Sequence, residues 1–211
     1  MKKYLVLIFL IIALAIFILD RKQSEAPMLE SGSSNITNTK GGYVYEDKSG
    51  FKITLPKAFS DNPGADEYGI DKDYVYTSKG PGEEIYGVKF MIPKSEAMGT
   101  NLSSDSYISV EYLPEGVTCD ASIFSFDTSS ESKIVRDGGV EYSMVSTLDA
   151  GAGNRYEETI YARKGSSPCV AVRYFIHYGA IENFEKGAVI EFDKNALTQE
   201  FDNIRRTLTI D

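Results

Sequence analysis

The sequence predicts an α+β fold in which a meander of antiparallel β-strands packs against helices, preceded by an amino-terminal membrane-anchor helix. Three observations predict it. Apolar and polar residues alternate along several short runs, which is typical of half-buried strands. Apolar residues recur at helical spacing near the carboxyl end, and an uncharged apolar run occupies the amino end.

The amino-terminal run YLVLIFLIIALAIFIL, residues 4–19, contains no charge, glycine or proline and lies between Lys3 and Asp20. Because it has no polar face, it is typical of a membrane-targeting segment. As a helix it would span roughly 24 Å, and flanking lysines can snorkel to match a hydrocarbon core of about 30 Å. We therefore predict a signal anchor over residues 1–22 that crosses the lipid bilayer through residues 4–19. A cleaved signal peptide and a buried core helix are the alternatives.

Basic residues before the run slightly favour an amino end inside the cell. The protein is then a single-pass inner-membrane protein whose remaining chain lies in the periplasm or outside the cell. Residues 23–42 are rich in Ser, Gly, Asn and Thr, which is the composition of a flexible linker. Residues 43–211 are enough for one sizeable core and too few for two ordinary ones, so we predict a single extracytoplasmic α+β domain.

The predicted domain is acidic. After residue 22 the chain carries 18 basic and 30 acidic residues. Phosphate groups must be met by Lys and Arg, so this balance disfavours nucleic acid and anionic lipid headgroups as partners of the domain. A protein partner is predicted, and a cationic one suits the charge.

Alternation is clearest in SYISVEYL, residues 106–113, and in VEYSMVSTL, residues 140–148, which we predict to be half-buried antiparallel strands. The turn residues Asp-Gly-Gly precede the second stretch, and Gly-Ala-Gly-Asn follows it. Shorter strands are predicted at 51–55, 74–77 and 85–92.

The stretch NRYEETIYARKGSSPCVAVRYFIHY, residues 154–178, predicts a β-hairpin. If KGSSP forms its loop, Ile160 lies opposite Val172. Arg155 then lies opposite His177. This register makes the apolar faces of the two strands coincide, which favours it over a slip by one residue.

The other face of this hairpin gathers Arg155, Glu157, Arg173 and His177. A histidine beside a glutamate could act as a general acid or base while arginines hold an anion, which would make the domain an enzyme acting on a small molecule. The alternative is a solvated outer face on which Glu157 pairs with Arg173 across the strands. We prefer this second interpretation and assign no catalytic residue, because no upstream motif supplies a nucleophile or a second base.

No metal or other cofactor is predicted. Structural zinc usually has four Cys or His ligands, and this chain has three such residues in all. The acidic stretch DNPGADEYGIDKD, residues 61–73, begins a calcium-loop pattern that Tyr74 breaks. We predict a solvated loop there, with an irregular calcium site as the alternative.

Cys119 and Cys169 are the two cysteines of the chain. An even pair in an exported domain predicts a disulfide, with two unrelated buried thiols as the alternative. The bond would join the stretch CDASIFSF to the second strand of the hairpin.

The closing stretch FDKNALTQEFDNIRRTLTI predicts an amphipathic helix. Asp193 can cap its start, and its apolar stripe contains Leu197, Phe201, Ile204 and Leu208. With this stripe lying across one face of the sheet, the domain would have two layers.

The strand GFKITLP, residues 50–56, and a closing helix with Phe201, Ile204 and Thr207 resemble PsbP/Mog1-like α/β sandwiches. The stretches AGNRYEE, CVAVRYFIHY and FDNIRR also resemble a set of uncharacterised exported bacterial proteins. The first resemblance covers the two ends of the domain, and Phe59 follows the proline where many members have a tryptophan. Neither resemblance supplies functional residues. The first implies a binding module, because PsbP/Mog1-like members mostly assist or bind other proteins.

These observations predict a membrane-tethered domain of the bacterial envelope that acts as a non-catalytic protein-binding or assembly module. The small-molecule enzyme and a purely structural envelope domain are the alternatives. A deep pocket beside His177 would favour the enzyme, whereas a flat or grooved apolar patch would favour a protein partner.

The anchor generates a direct test. The apolar run ends in Ile-Leu-Asp-Arg-Lys rather than in small residues, so signal peptidase should not cleave it. Amino-terminal sequencing of the protein purified from membranes should therefore read the residues that precede Asp20. A mature chain that begins near Ala26 or Pro27 would contradict the anchor.

Overall fold

The computed structural model describes residues 34–61, 70–77, 84–113, 117–127 and 129–210. Their strands and helices belong to the unit Asn35–Asp211. The predicted anchor, residues 1–22, lies outside the described residues, as does most of the acidic stretch 61–73. Within the described part of the chain, no helix is both long enough and apolar enough to span a bilayer.

Antiparallel strands dominate the described residues and form two sheets. The smaller sheet contains, in spatial order, β1 (Asn35–Thr39), β2 (Gly42–Glu46), β3 (Phe51–Pro56) and β11 (Thr209–Ile210). The larger sheet contains, in spatial order, β4 (Ile70–Thr77), β5 (Glu84–Met91), β6 (Tyr107–Leu113), β10 (Cys169–Gly179), β9 (Asn154–Arg163), β8 (Val140–Gly151) and β7 (Lys133–Asp137).

The helices are short by comparison. α1 (Lys94–Ala97) and α2 (Ala121–Phe124) are single turns, and α3 (Lys194–Arg205) has about three turns. The α+β prediction therefore holds in part. A helix does pack against the sheets, but most of the described chain is antiparallel β structure.

The stretches predicted to be strands all form strands, with shifts of a few residues at their ends. They become β3, β4, β5, β6, β8 and the hairpin of β9 and β10. In β3 the alternation is strict, because Phe51, Ile53 and Leu55 are buried and the residues between them are partly exposed.

Strand β1 lies inside the predicted linker, residues 23–42, so the folded unit starts at Asn35 rather than at Tyr43. It has the sequence NITNT and forms the edge of the smaller sheet, where four of its five residues are exposed. An edge strand that buries almost no side chain needs no apolar alternation. Its composition therefore resembles that of a linker.

The main core lies between the two sheets and α3. Tyr45 of β2 contacts Phe90 of β5 edge to face, with ring centroids 5.3 Å apart. Phe201 of α3 packs on Tyr174 of β10, with centroids 5.2 Å apart. The larger sheet therefore uses this face to bury both the smaller sheet and the helix.

Helix α3 begins where the sequence predicts. The Ala196 amide donates a hydrogen bond to Asp193 Oδ1 at 2.9 Å, which confirms the predicted cap. Leu197, Phe201 and Ile204 of the predicted stripe are buried in the main core.

A second core covers the opposite face of the larger sheet. It includes Ile160, Ala162, Ala171, Ala121 and Phe124, the last two from α2. The central strands are therefore buried on both faces, and Glu111 of β6 is inaccessible to solvent. The prediction of half-buried strands is wrong for β6, and a third layer replaces the predicted two.

The hairpin of β9 and β10 forms, but its register differs by one residue from the predicted one. Val172 pairs with Tyr161 rather than with Ile160. Ile160 therefore faces the second core, and Tyr161 shares the face of Val172. The predicted register assumed that one face of the hairpin is solvated. Both faces of the hairpin are in fact covered by other parts of the chain. Matching the apolar residues of the two strands therefore does not favour the predicted register over the observed one.

The predicted disulfide is confirmed. Cys119 and Cys169 are bonded, with their Cα atoms 5.0 Å apart, and both are nearly inaccessible to solvent. The bond joins the segment before α2 to the first residue of β10. It therefore holds the cover of the second core against the sheet.

Replacing both Cys119 and Cys169 by Ala should lower the free energy of unfolding by up to about 4 kcal/mol, because a link between residues 50 apart restricts the unfolded chain. Urea denaturation followed by circular dichroism measures the difference. The wild type under reducing conditions is the matched control and should shift in the same direction. Identical midpoints for the oxidised wild type and the double variant would contradict the stabilising role.

Candidate functional site

The four residues of the predicted polar site do not converge. Arg155 and Glu157 lie on one face of β9, whereas Arg173 and His177 lie on the opposite face of the sheet. His177 pairs with Tyr156 and not with Arg155, as the shifted register requires. The predicted set therefore divides into two pairs, separated by the thickness of the sheet.

Glu157 and Arg155 make contacts at the end of the hairpin. Glu157 Oε1 accepts hydrogen bonds from Tyr178 Oη at 2.7 Å and from Lys194 Nζ at 2.6 Å. Arg155 lies 3.7 Å from Glu182 in the turn after β10. These contacts join the hairpin to α3 and to the turn after β10.

Arg173 lies at the centre of a buried network instead of on a solvated face. Its side chain is completely inaccessible, and its Nε and Nη2 donate to the two carboxylate oxygens of Glu111 at 2.7 and 3.0 Å. Nη1 donates to Glu158 at 2.8 Å. Nη2 also lies 2.7 Å from the Phe124 carbonyl oxygen and 2.8 Å from Tyr76 Oη. The predicted pair of Glu157 and Arg173 is wrong, because Glu157 faces the other core.

The network holds one guanidinium against two carboxyl groups. Burial alone would lower the pKa of Arg173, but the charge and hydrogen bonds of Glu111 hold it well above its ordinary value. Burial raises the pKa of Glu158 above its ordinary value, and the charge of Arg173 offsets this only in part. When both carboxyls are ionised, Arg173 is the ion-pair partner of both, and the raised pKa shows that Glu158 is the less well stabilised where it meets the solvent.

A cleft of about 610 Å³ opens beside Glu158. Strands β8, β9 and β10 and the segment after α2 supply its lining, which comprises Phe126, Asp127, Thr147, Leu148, Asp149, Tyr156, Glu158 and Phe175. Two apolar side chains at the cleft are open to solvent, since Leu148 is 70% exposed and Phe126 is 40% exposed. The lining therefore combines carboxylates with aromatic rings.

Aromatic rings form the floor of the cleft. Phe175 stacks on Tyr107 with centroids 4.9 Å apart and lies 6.3 Å from Tyr156. Tyr156 in turn stacks on His177 with centroids 4.4 Å apart. The chain of contacts makes a continuous aromatic surface across β6, β10 and β9.

His177 extends this surface and is held by Asp105. Its Nδ1 lies 2.8 and 3.0 Å from the two oxygens of the Asp105 carboxylate. Its Nε2 is buried, and no described residue forms a hydrogen bond with it. The nearby Ser106 hydroxyl is engaged by the backbone, because it accepts from the His177 amide and donates to the His177 carbonyl. The Ser106 hydroxyl therefore donates its proton to a backbone carbonyl and not to the imidazole, so His177 does not activate it as a nucleophile.

Phe126 and Asp127, which follow α2, form the outer wall of the cleft. Asp120 accepts hydrogen bonds from the Ser122 amide at 3.0 Å, from Ser143 Oγ at 2.9 Å and from Ser132 Oγ at 3.0 Å. Burial opposes these bonds, yet together they hold the pKa of Asp120 below its ordinary value. With the disulfide at residue 119, they fix both ends of the segment that presents Phe126 and Asp127.

Metal binding has no support in this part of the molecule. Among the described residues, no three or more His, Cys, Asp or Glu side chains are grouped so that they could hold a metal ion. The stretch 61–73, where a calcium site was the alternative, lies mostly outside the described residues.

The sequence did contain a signal for the residue that carries the site. Glu158 interrupts the otherwise apolar set of Tyr156, Ile160 and Ala162 on one face of β9. A carboxylate in an apolar row indicates a buried partner, and Arg173 is that partner. Phe126 and Leu148 gave no comparable signal, since isolated apolar residues in loops and strand ends are common on protein surfaces.

Replacing Arg173 by Leu should lower the free energy of unfolding by about 3 to 5 kcal/mol, because two carboxylates lose their buried counter-ion. Arg136→Leu is the control, since Arg136 also donates two hydrogen bonds to a glutamate, both to one oxygen of Glu141, but is 81% exposed. Its loss should cost at most about 1 kcal/mol. Urea denaturation measures both values, and equal costs would contradict the central role of the buried network.

Comparison with known proteins adds little to this geometry. No protein-family model matches the sequence, and no curated protein matches it. The resemblance to PsbP/Mog1-like domains therefore stays a prediction. A crystal structure of a protein from Bacteroides thetaiotaomicron is similar, with a TM-score of 0.37 and 10% sequence identity. The similarity covers 76% of this chain and 45% of that protein, so the chain spans less than half of its length. Neither a shared fold nor a shared function follows from a similarity of this size.

Proposed function

We propose that the protein is a membrane-tethered domain of the bacterial envelope that binds a protein partner without catalysis. Residues 4–19 tether it to the inner membrane, and the folded unit lies in the periplasm or outside the cell. The cleft beside Glu158 receives the partner. The PsbP/Mog1-like resemblance of the two ends of the domain agrees with this function.

The observation that carries the proposal is the exposure of apolar side chains at a concave site. Leu148 and Phe126 are open to solvent beside a floor that contains Tyr156 and Phe175. Apolar groups that line a concavity lose unfavourable contact with water when a ligand covers them. Single exposed apolar residues are common, but here two of them lie together in one cleft with aromatic rings, which favours a binding role over a purely structural one.

The small-molecule enzyme has less support. Its four residues divide between the two faces of the sheet, and Arg173 is already ion-paired with two carboxylates of the protein itself. His177 has an acidic partner in Asp105, but its Nε2 is buried rather than presented to the cleft. General acid or base chemistry needs a nitrogen within reach of the substrate, so the arrangement favours binding.

Site-specific crosslinking in cells tests the proposal. A photocrosslinking amino acid is introduced at Leu148 or, as a matched control, at Ile190, which is 69% exposed and does not line the cleft. Irradiation of cells that produce the full chain should give a defined protein adduct from position 148 and none from position 190. Adding Phe126→Ser should weaken the adduct, because it removes an exposed ring from the cleft. Equal adducts at both positions, or none at position 148, would contradict the cleft as the docking site.

A further inference from the structure

The cleft carries a charge imbalance that goes beyond its shape. Its described lining includes the carboxylates of Asp127, Asp149 and Glu158 and contains no lysine or arginine. Asp127 is committed to the turn that follows it, where it accepts hydrogen bonds from Ser129 and Ser130. Glu158 differs from the other two, because it is 16% exposed and shares Arg173 with a fully buried second carboxylate.

A ligand with a positive charge would correct this imbalance. Arg173 donates to both oxygens of Glu111 but makes only one hydrogen bond with Glu158, so it stabilises the Glu158 carboxylate less. Burial raises the pKa of Glu158, which means that its ionised form is short of stabilising contacts. A cation placed in the cleft would add a second counter-charge on the exposed side of Glu158, where water is already partly excluded.

The aromatic rings of the cleft suit the same ligand. Cations bind favourably over the faces of Phe and Tyr rings within about 6 Å of the centroid. The same face of the sheet already uses this contact, since Lys89 Nζ lies 3.8 Å from the centroid of Tyr74 and 4.7 Å from that of Tyr107. Arg173 Cζ likewise lies 5.2 Å from the centroid of Phe126.

We infer that the cleft binds a lysine or arginine side chain of the partner, with its cationic group at the Glu158 carboxylate and its methylene stem against Phe126, Tyr156 and Phe175. The inference rests on the proposed function and names the chemistry that the site recognises. A neutral saccharide could also stack on the rings, but it would bring no further positive charge to the Glu158 carboxylate.

The test uses the full chain in detergent micelles and blocked tripeptides. Isothermal titration compares Gly-Arg-Gly with the same peptide containing citrulline, which has nearly the shape of arginine without its charge. The arginine peptide should bind about tenfold more tightly than the citrulline peptide. Chitotriose, a neutral saccharide, should not compete.

Two neighbouring variants separate the cleft from the general acidity of the chain. Glu158→Gln and Glu157→Gln each remove one negative charge, but Glu157 lies on the opposite face of the sheet. Glu158→Gln should remove most of the preference for arginine over citrulline, whereas Glu157→Gln should retain it. Equal losses in both variants would overturn the inference, because they would show attraction to the net charge alone.

The pH dependence gives a second readout. Protonation of Glu158 removes the charge that holds the cation, so the affinity should fall as the pH is lowered through its pKa, which lies above the ordinary carboxyl value. Glu157→Gln should keep this dependence, and Glu158→Gln should lose it. If Glu158→Gln does not fold, Asp149→Asn at the exposed rim replaces it and should reduce the arginine preference in part.

The outcomes distinguish this inference from the proposed function. Equal binding of the arginine and citrulline peptides, or displacement of the arginine peptide by chitotriose, would overturn the inference that the cleft recognises a cationic side chain. The crosslink at Leu148 could still form in that case, so the docking site would stand. Selective arginine binding without any crosslink at Leu148 would instead overturn the protein partner and retain the recognition chemistry.

Discussion

The buried contact between Arg173 and Glu111 is the interaction on which one whole side of the larger sheet depends. Moving a guanidinium and a carboxylate out of water costs several kcal/mol for each ion, so the fold must provide close and well-oriented partners. Arg173 finds them on β4, β6, β9 and at the end of α2. One side chain of β10 therefore determines how four other segments are placed.

This dependence connects the core of the protein to its cleft. The Phe124 carbonyl accepts from Arg173, and the disulfide at residue 119 holds the other end of α2. The wall that presents Phe126 is thus attached to the sheet at both ends. Glu158 belongs to the same network, so the arrangement that stabilises the second core also places a poorly compensated carboxylate in the cleft.

The opposite face of the larger sheet also buries an ion-paired arginine, Arg205. Arg205 of α3 is nearly inaccessible, and its guanidinium lies over the rings of Tyr142 and Tyr161. It also forms ion pairs with Asp137 in β7 and with Asp202 one turn earlier in the helix. Each face of the sheet therefore buries an arginine that connects distant elements. On the α3 face the charge is shared with two partly exposed carboxylates, since the side chains of Asp137 and Asp202 are 30% and 25% exposed.

Local pattern was sufficient for the parts of this protein that depend on neighbours in the chain. Alternation predicts the strands, Asp193 predicts the start of α3, and the pair of cysteines predicts the disulfide, because strand, cap and pairing chemistry are each encoded within a few residues or by residue type. Such local patterns predict most of the strands and the helix α3, but they predict neither the second core nor the polar edge strand β1.

The tertiary structure alone decided which charges are buried and which face of β9 meets the second core. Arg173 and Glu111 are 62 residues apart, and each looks like an ordinary polar residue of a half-exposed strand until the other is placed beside it. The shift of one residue in the hairpin has the same origin, since it brings Glu158 rather than Glu157 to Arg173. A side-chain period of two residues defines two faces but does not say whether water or a second layer covers each of them. Contacts between elements remote in sequence supply that information, and they turn a predicted solvated face into a core with a cleft at its edge.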